Sequence, residues 1–384
     1  MKSVDVSAGT IEYREEGDPN GPPVVLLHGL LMNDAQWNLA LPMLPPGFRY
    51  LLPVLPMGGH RIPMREDADL TMQAMVDIVA DFLDALDLDD VTLVVTDWGG
   101  ALFLTDAGRD KRVARLVICP SEAFDNFPPG FPGKVAWLAS RNTLTVSLAM
   151  RQLKIGWLRR QWLMFGQMAK KPVPQDIVDK WMAPGLADRR IRQDLVKYCR
   201  TKFDGADLIR ATNGLADFTG PALVLWSRNP VMPAEHGDRL AALLPKGQLR
   251  LIDDAYVLVM VDQPEHTARE IGAFLNSRDE WHFHECHIPY QYRRVRFRSC
   301  PPSGVSAASA RPYAGFSSTS RVTTSSGCAA TGSTRCRRGT PARKAGRCRK
   351  CTTTAPGLNA RRCWSTASSR TRHGMPASTT SAAR

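Results

Sequence analysis

Apolar positions in the first 277 residues follow two different periods. Short, β-branched runs recur at Pro23–Leu27, Arg49–Val54, Val91–Val95, Val113–Cys119, Pro221–Trp226 and Gln248–Ile252. Runs this short, bounded by Gly, Pro or Asp, read as buried strands. Residues 2–16 read as a hairpin turning near Ala8-Gly9. Helical spacing fills the intervals, at Ala35–Leu44, Thr71–Leu88, from Ala101 to about Ala107, Pro233–Leu244 and Pro264–Asn276. Thr71 precedes its apolar stripe and is placed to serve as an N-cap. Strands alternating with helices through short links predict an α/β fold. Its mostly parallel central sheet is covered by helices on both faces.

Two stretches break that alternation. Between Cys119 and Pro221 about a hundred residues carry no strand pattern. Lys134–Lys171, Asp176–Met182 and Ala187–Lys202 read as helices, with breaks at Pro172, Pro174, Pro184 and Gly185. This is expected to be a helical cap, residues 123–215, inserted between core segments 1–122 and 216–278. Caps shape a pocket and keep water out of it. From residue 279 to 384 the pattern stops, and residues 290–384 are rich in Ser, Thr, Arg, Ala, Gly and Pro and poor in Leu, Ile and Val. Such a chain buries too little apolar surface to offset its ordering entropy, so a disordered basic tail is expected. Its Arg, Cys, Ser and Ala bias also matches GC-rich coding sequence read out of frame.

Charge follows the same division. Residues 1–278 hold 31 Lys and Arg against 34 Asp and Glu, whereas 279–384 hold 19 against 3. The overall +13 therefore belongs to the tail and implies no specific nucleic-acid partner for the body. Only Cys119 and Cys199 of the nine cysteines fall in the body, the usage of a reduced, cytoplasmic protein. The N-terminal residues lack an apolar core of the signal-peptide kind, and no apolar run is long enough to span a bilayer, so no membrane partner is expected. His282, His284, Cys286 and His287, and the pair Cys348 and Cys351, imitate metal ligands. Their spacing does not make a paired zinc site, and no metal or cofactor is expected.

The densest chemistry lies at residues 96–101, TDWGGA, where a strand runs into a tight turn and a helix. Such a turn requires small residues where backbone and helix pack closely, and serine is its usual apex. Here the apex is Asp97. An attacking aspartate makes an alkyl ester, which points to alkyl halides or epoxides rather than esters or peptides. The alternative role for Asp97 is a helix cap.

With LLHG at 26–29, PALVLWS at 221–227 and VDQPE at 261–265, the chain resembles the α/β-hydrolase superfamily over about residues 3–277, and within it the haloalkane dehalogenase and epoxide hydrolase branch. The resemblance implies Asp97 as nucleophile, Trp98 as a halide donor or a core aromatic, and the backbone N–H groups of Trp98 and Leu30 as the oxyanion hole. Leu30 replaces the asparagine that commonly gives a second halide donor. Trp137, Trp157, Trp162 and Trp181 of the cap are substitute donors or core. Epoxide hydrolases use two cap tyrosines, and this cap has only Tyr198. For the acid member, Asn229 stands where the family usually has Asp, and Glu122 stands at the alternative place. The family's base histidine falls on Val257, which cannot activate water. His60 is the replacement, as a base or as a loop anchor; His28 reads as structural. His236 and His266 read as solvent-facing.

The function expected from the resemblance is hydrolysis of a small apolar or halogenated substrate through Asp97. The missing histidine opens a second expectation, a non-catalytic or single-turnover relative that binds an apolar ligand.

Overall fold

Val91–Asp97 is apolar or small at every position but the last, and all seven residues are buried. A strand covered on both faces needs that composition, since neither side meets water. It forms β5, near the middle of an eight-stranded sheet. The computed structural model describes residues 1–98, 104–161, 164–201 and 205–277. The remaining strands are β1 (Lys2–Val6), β2 (Gly9–Gly17), β3 (Pro23–Leu26), β4 (Arg49–Pro53), β6 (Val113–Ser121), β7 (Ala222–Ser227) and β8 (Gly247–Ile252). Their order is β1-β2-β4-β3-β5-β6-β7-β8. β1 and β2 form an antiparallel hairpin, β2 joins β4 antiparallel, and β4 through β8 run parallel.

Helix α1 (Met72–Ala85) begins as its sequence predicts, with Thr71 Oγ1 accepting from Ala74 N–H at 3.2 Å. Between β6 and β7 lie α2 (Gly130–Ala139), α3 (Thr143–Leu153), α4 (Gly156–Arg159), α5 (Gln175–Ala187), α6 (Arg189–Cys199) and α7 (Gly205–Asn213). After β7 come α8 (Ala234–Leu243), α9 (Val259–Asp262) and α10 (Pro264–Asn276), with β8 between α8 and α9. No described helix is long and apolar enough to cross a membrane.

Four local expectations change. Lys134–Lys171 is not one helix but α2, α3 and α4, interrupted at residues 140–142 and 154–155 and ending at Arg159. Ala35–Leu44 is not one helix but two 3-10 turns, Asp34–Trp37 and Leu41–Met43. Asn33 caps the first turn through Ala35 N–H, and Pro42, lacking an N–H, starts a second. Pro184 and Gly185 do not end a helix but lie inside α5. Proline at 184 removes the usual donor to the Lys180 carbonyl, and the Asn33 side chain supplies one instead at 2.9 Å. A side chain at Gly185 would meet Met150 Sδ at 2.6 Å, so glycine lets α5 pack against α3. His236 is 3% exposed rather than solvent-facing. It packs edge-on against Phe124, and its Nε2 lies 3.4 Å from Asp125. His266, half-buried, faces Glu270 at 3.4 Å. The segment Gly99–Phe103, expected to open a helix, lies outside the described residues, as do the tail's His and Cys motifs.

Candidate active site

Strand β5 delivers Asp97 to the carboxyl edge of the sheet, where crevices of parallel sheets receive ligands. Its backbone has φ of 61°, the left-handed region that non-glycine residues rarely occupy. The backbone is thus strained at Asp97, and the side chain projects out of the strand end. A register shift between Val95 and Asp97 loosens the pairing with β6 at this point. Asp97 is 5% exposed. Its Oδ2 accepts from Leu30 N–H at 2.9 Å, and its carbonyl accepts from Glu122 N–H at 3.0 Å.

The Leu30 donor is aimed by its own turn. Leu31 has φ of 65° and donates to the Met57 carbonyl at 2.9 Å. Gly29 is required by proximity: a Cβ there would lie 2.8 Å from Asp97 Cβ. His28 fixes the same loop. Its Nε2 accepts from Leu55 N–H at 2.8 Å, which leaves Nδ1 to donate to the Gly29 carbonyl at 2.9 Å. Burial pushes its pKa down to about 4, so the ring is a neutral strut.

A cavity of about 180 Å³ opens over Asp97. Asp97, Trp98, Glu122 and Tyr198 give it a polar floor, and Leu31, Phe127, Trp137 and Met168 are among its apolar walls. Trp98 is 1% exposed, and its indole N–H has no partner among the described residues. Leaving a buried donor unmade is costly, so such a donor in a cavity wall is a ready site for a ligand acceptor. Tyr198 on α6 meets Trp98 edge to face at 6.3 Å. Burial, with Glu122 and Asp97 nearby, holds its phenol protonated. Burial also pushes Asp97 up to about 6, partly opposed by the Leu30 N–H. The carboxylate is therefore ionised at neutral pH but poorly solvated.

The structure brings Asp97, Trp98, Leu30 and Glu122 together at this one cavity. Asn229 and His60 are not among its lining residues. Asn229 Oδ1 accepts from Val231 and Met232 N–H, and its Nδ2 donates to Ser227, so its amide closes its own turn. His60 is 2% exposed, with Nε2 3.1 Å from Asp194 and Nδ1 accepting from Gly58 N–H at 3.3 Å. Val257 is fully buried in the loop before α9. Of the tryptophans between β6 and β7, Trp137 lines the cavity, Trp157 is exposed, Trp181 is fully buried away from the lining, and Trp162 lies outside the described residues. Among the described residues no cluster of His, Cys, Asp and Glu is suited to a metal. Ser140 and Gln152 line the cavity without having been singled out from the sequence, and Tyr198, weighed there only against a pair of tyrosines, lines it too. Helical spacing marks Tyr198 as an inward residue of α6, but not as one facing Asp97.

Residues 24–270 match the model of the alpha/beta hydrolase family, and the chain belongs to that family. A haloalkane dehalogenase of Mycolicibacterium paratuberculosis is 34% identical over 159 residues, 39% of this chain and 50% of that protein. The chain thus matches about half the length of this curated relative. A cis-3-alkyl-4-alkyloxetan-2-one decarboxylase of Xanthomonas campestris is 28% identical over 71% of this chain and 95% of that protein. The crystal structure of haloalkane dehalogenase DbeA from Bradyrhizobium elkani superposes with a TM-score of 0.58 at 20% identity, covering 71% of this chain and 96% of that one. At that identity the superposition speaks for the fold alone.

Proposed function

We propose that this cavity carries out nucleophilic substitution on small apolar electrophiles, haloalkanes first, with Asp97 as the attacking group and the helices between β6 and β7 as its cap. One observation carries the reading: a buried, oriented carboxylate and a buried indole N–H with no partner among the described residues share a cavity whose walls are largely apolar. With Oδ2 held by Leu30 N–H, Oδ1 attacks carbon. A C–O bond forms as the carbon–halogen bond breaks, and the halide leaves with the electron pair. The Trp98 N–H donates to it, and the apolar walls keep water from competing. Glu122 is the second carboxylate of the cavity and the group we assign to orienting water for ester hydrolysis. With valine at 257 and His60 turned to Asp194, that second step lacks a strong base, so the alkyl-enzyme ester accumulates.

The absent base and the long match to the oxetanone decarboxylase favour a second reading. Attack of Asp97 on the ring C–O carbon of an oxetan-2-one opens the ring to an alkyl ester bearing a carboxylate. Loss of CO₂ then supplies the pair that forms the alkene and expels Asp97. No water and no base is consumed.

Intact-mass analysis of the full chain after exposure to haloalkanes and oxetan-2-ones tests both. An adduct of alkyl mass that Asp97→Ala abolishes supports the first; Asp97-dependent alkene and CO₂ without adduct supports the second. Product formation that survives Asp97→Ala refutes both.

A further inference from the structure

Ten large apolar side chains are strongly exposed among the described residues, and six of them lie between residues 131 and 157. Leu144 is 82% exposed, Leu138 71%, Trp157 70% and Leu148 58%. They are organised by helical spacing. On α2, Gly133, Ala136 and Ser140 line the cavity while Phe131, Lys134 and Leu138 face solvent. On α3, Ala149, Gln152 and Leu153 line the cavity while Leu144, Leu148 and Arg151 face solvent. These helices are a roof one helix thick, with apolar residues on both sides. Packing accounts for the inner side only.

Charge identifies what fits the outer side. Residues 126–175 contain eight Lys and Arg and no Asp or Glu. At the end of α4, Arg160, Lys170 and Lys171 line a notch of about 90 Å³, in which Lys170 also pairs with Asp254 and the buried Arg159 donates to the Leu153 and Val173 carbonyls. Leu, Phe and Trp set among Lys and Arg, with Asp179 of α5 pairing only with Lys154 at 3.1 Å among the ion pairs of α2–α4, is the composition of a surface that lies on an anionic bilayer. A second protein copy would bring the same basic fringe against itself, which disfavours self-association.

We propose that the outer face of α2–α4 docks on membranes rich in anionic lipid. Leu138, Leu144, Leu148 and Trp157 enter the acyl boundary, and the basic residues, including the notch, take lipid phosphates. This departs from the sequence expectation of no membrane partner, which rested on the lack of a spanning segment. Docking does not depend on the chemistry proposed for Asp97.

The test is co-sedimentation of the full chain with vesicles of phosphatidylglycerol in phosphatidylcholine, against pure phosphatidylcholine. Binding is expected to the anionic vesicles only, and to weaken with salt. The variant Leu144→Gln/Leu148→Gln/Trp157→Gln keeps every charge, including those of the tail, and is expected to bind at least about tenfold more weakly. Lys134→Glu/Arg151→Glu/Arg160→Glu keeps the apolar stripe and is expected to lose binding similarly. Both alter exposed positions, and unchanged thermal unfolding checks their fold. Equal binding by the wild type and the apolar variant would overturn the proposal, because the tail's charge would then suffice. A wild-type dimer in sedimentation that the apolar variant abolishes, without vesicle binding, would also overturn it and assign the face to self-association.

Discussion

The core and the helical insertion solve burial in opposite ways. Residues 1–122 and 216–278 hold 15 Lys and Arg against 27 Asp and Glu; residues 123–215 hold 16 against 7. In the core, β5 and β7 are buried at every position because helices cover both faces. In the insertion, α2 and α3 separate a cavity from solvent and remain apolar on each side. An apolar residue in the core is explained by packing. An apolar residue outside the roof is not, and it points to something the helix touches. Many hydrogen bonds tie the two regions together, among them those of Asp194 to His60 and Met64 and of Asp262 to Lys170 and Lys171. Asn33 of the core completes α5 at its proline, and Tyr198 of the insertion stands against Trp98.

The sharpest way to break this division is at its junction. Asp97→Ala should lower adduct or product formation by on the order of 10⁴-fold, measured by single-turnover mass analysis. A residual rate near wild type would place the chemistry outside the elbow. Gly29→Ala puts a methyl group against Asp97 and should cost on the order of 10²-fold in the same rate by displacing the carboxylate. If Gly29→Ala reacts normally, the close approach of the two turns does not matter to the reaction.

Trp98→Phe removes the unpartnered N–H while keeping an aromatic ring. We expect about a 10²-fold slower attack on haloalkanes and little change in unfolding midpoint, since no hydrogen bond to the described residues is lost. A large loss of stability with an unchanged rate would make Trp98 a packing residue only.

The pH profile follows from the burial of Asp97, which pushes its pKa up to about 6. Attack needs the ionised form, so the rate should level above pH 7 and fall about tenfold per unit well below pH 6. The same shift works against folding. A group with a raised folded pKa contributes stability below its unfolded value, 3.8, and that contribution is lost as pH rises through 6. Asp97→Asn should therefore gain stability over the wild type as pH climbs through this window, by up to about 3 kcal/mol. Denaturant unfolding at pH 4 and pH 8 measures the difference; a gain that is equal at both would dissociate it from ionisation.

The smallest effect is the most direct comparison of the roof's two sides. Val146→Ala, on the buried face of α3, should cost roughly 2 kcal/mol. Leu144→Ala, two residues earlier and 82% exposed, should stay within about 0.5 kcal/mol of wild type. Comparable losses would mean that the outer apolar face is packed after all.

Much of the architecture was readable in the chain because its signals are local. Strand runs and helix spacing predict β3 through β8, and the predicted bounds of α10, Pro264–Asn276, match the structure. Errors arose where a distant group supplied what the local sequence lacked. Pro184 reads as a break because nothing nearby replaces its N–H, yet Asn33, far away in sequence, does so. His236 reads as exposed because it lies on a peripheral amphipathic helix, and Phe124 covers it.

The sequence by itself determined the residue types: an aspartate at the end of a buried strand, glycine before Leu30, tryptophan after Asp97 and valine where a base is expected. Those identities, and the periods around them, are properties of neighbouring residues. Only the tertiary structure decided which of them meet. Leu30 N–H reaches Asp97 across 67 positions of chain, Glu122 and Tyr198 face the same cavity, and His60 turns to Asp194. It also decided which apolar residues of the insertion are left outside. Contact between distant segments depends on how the sheet and roof close, and no local period records that closure.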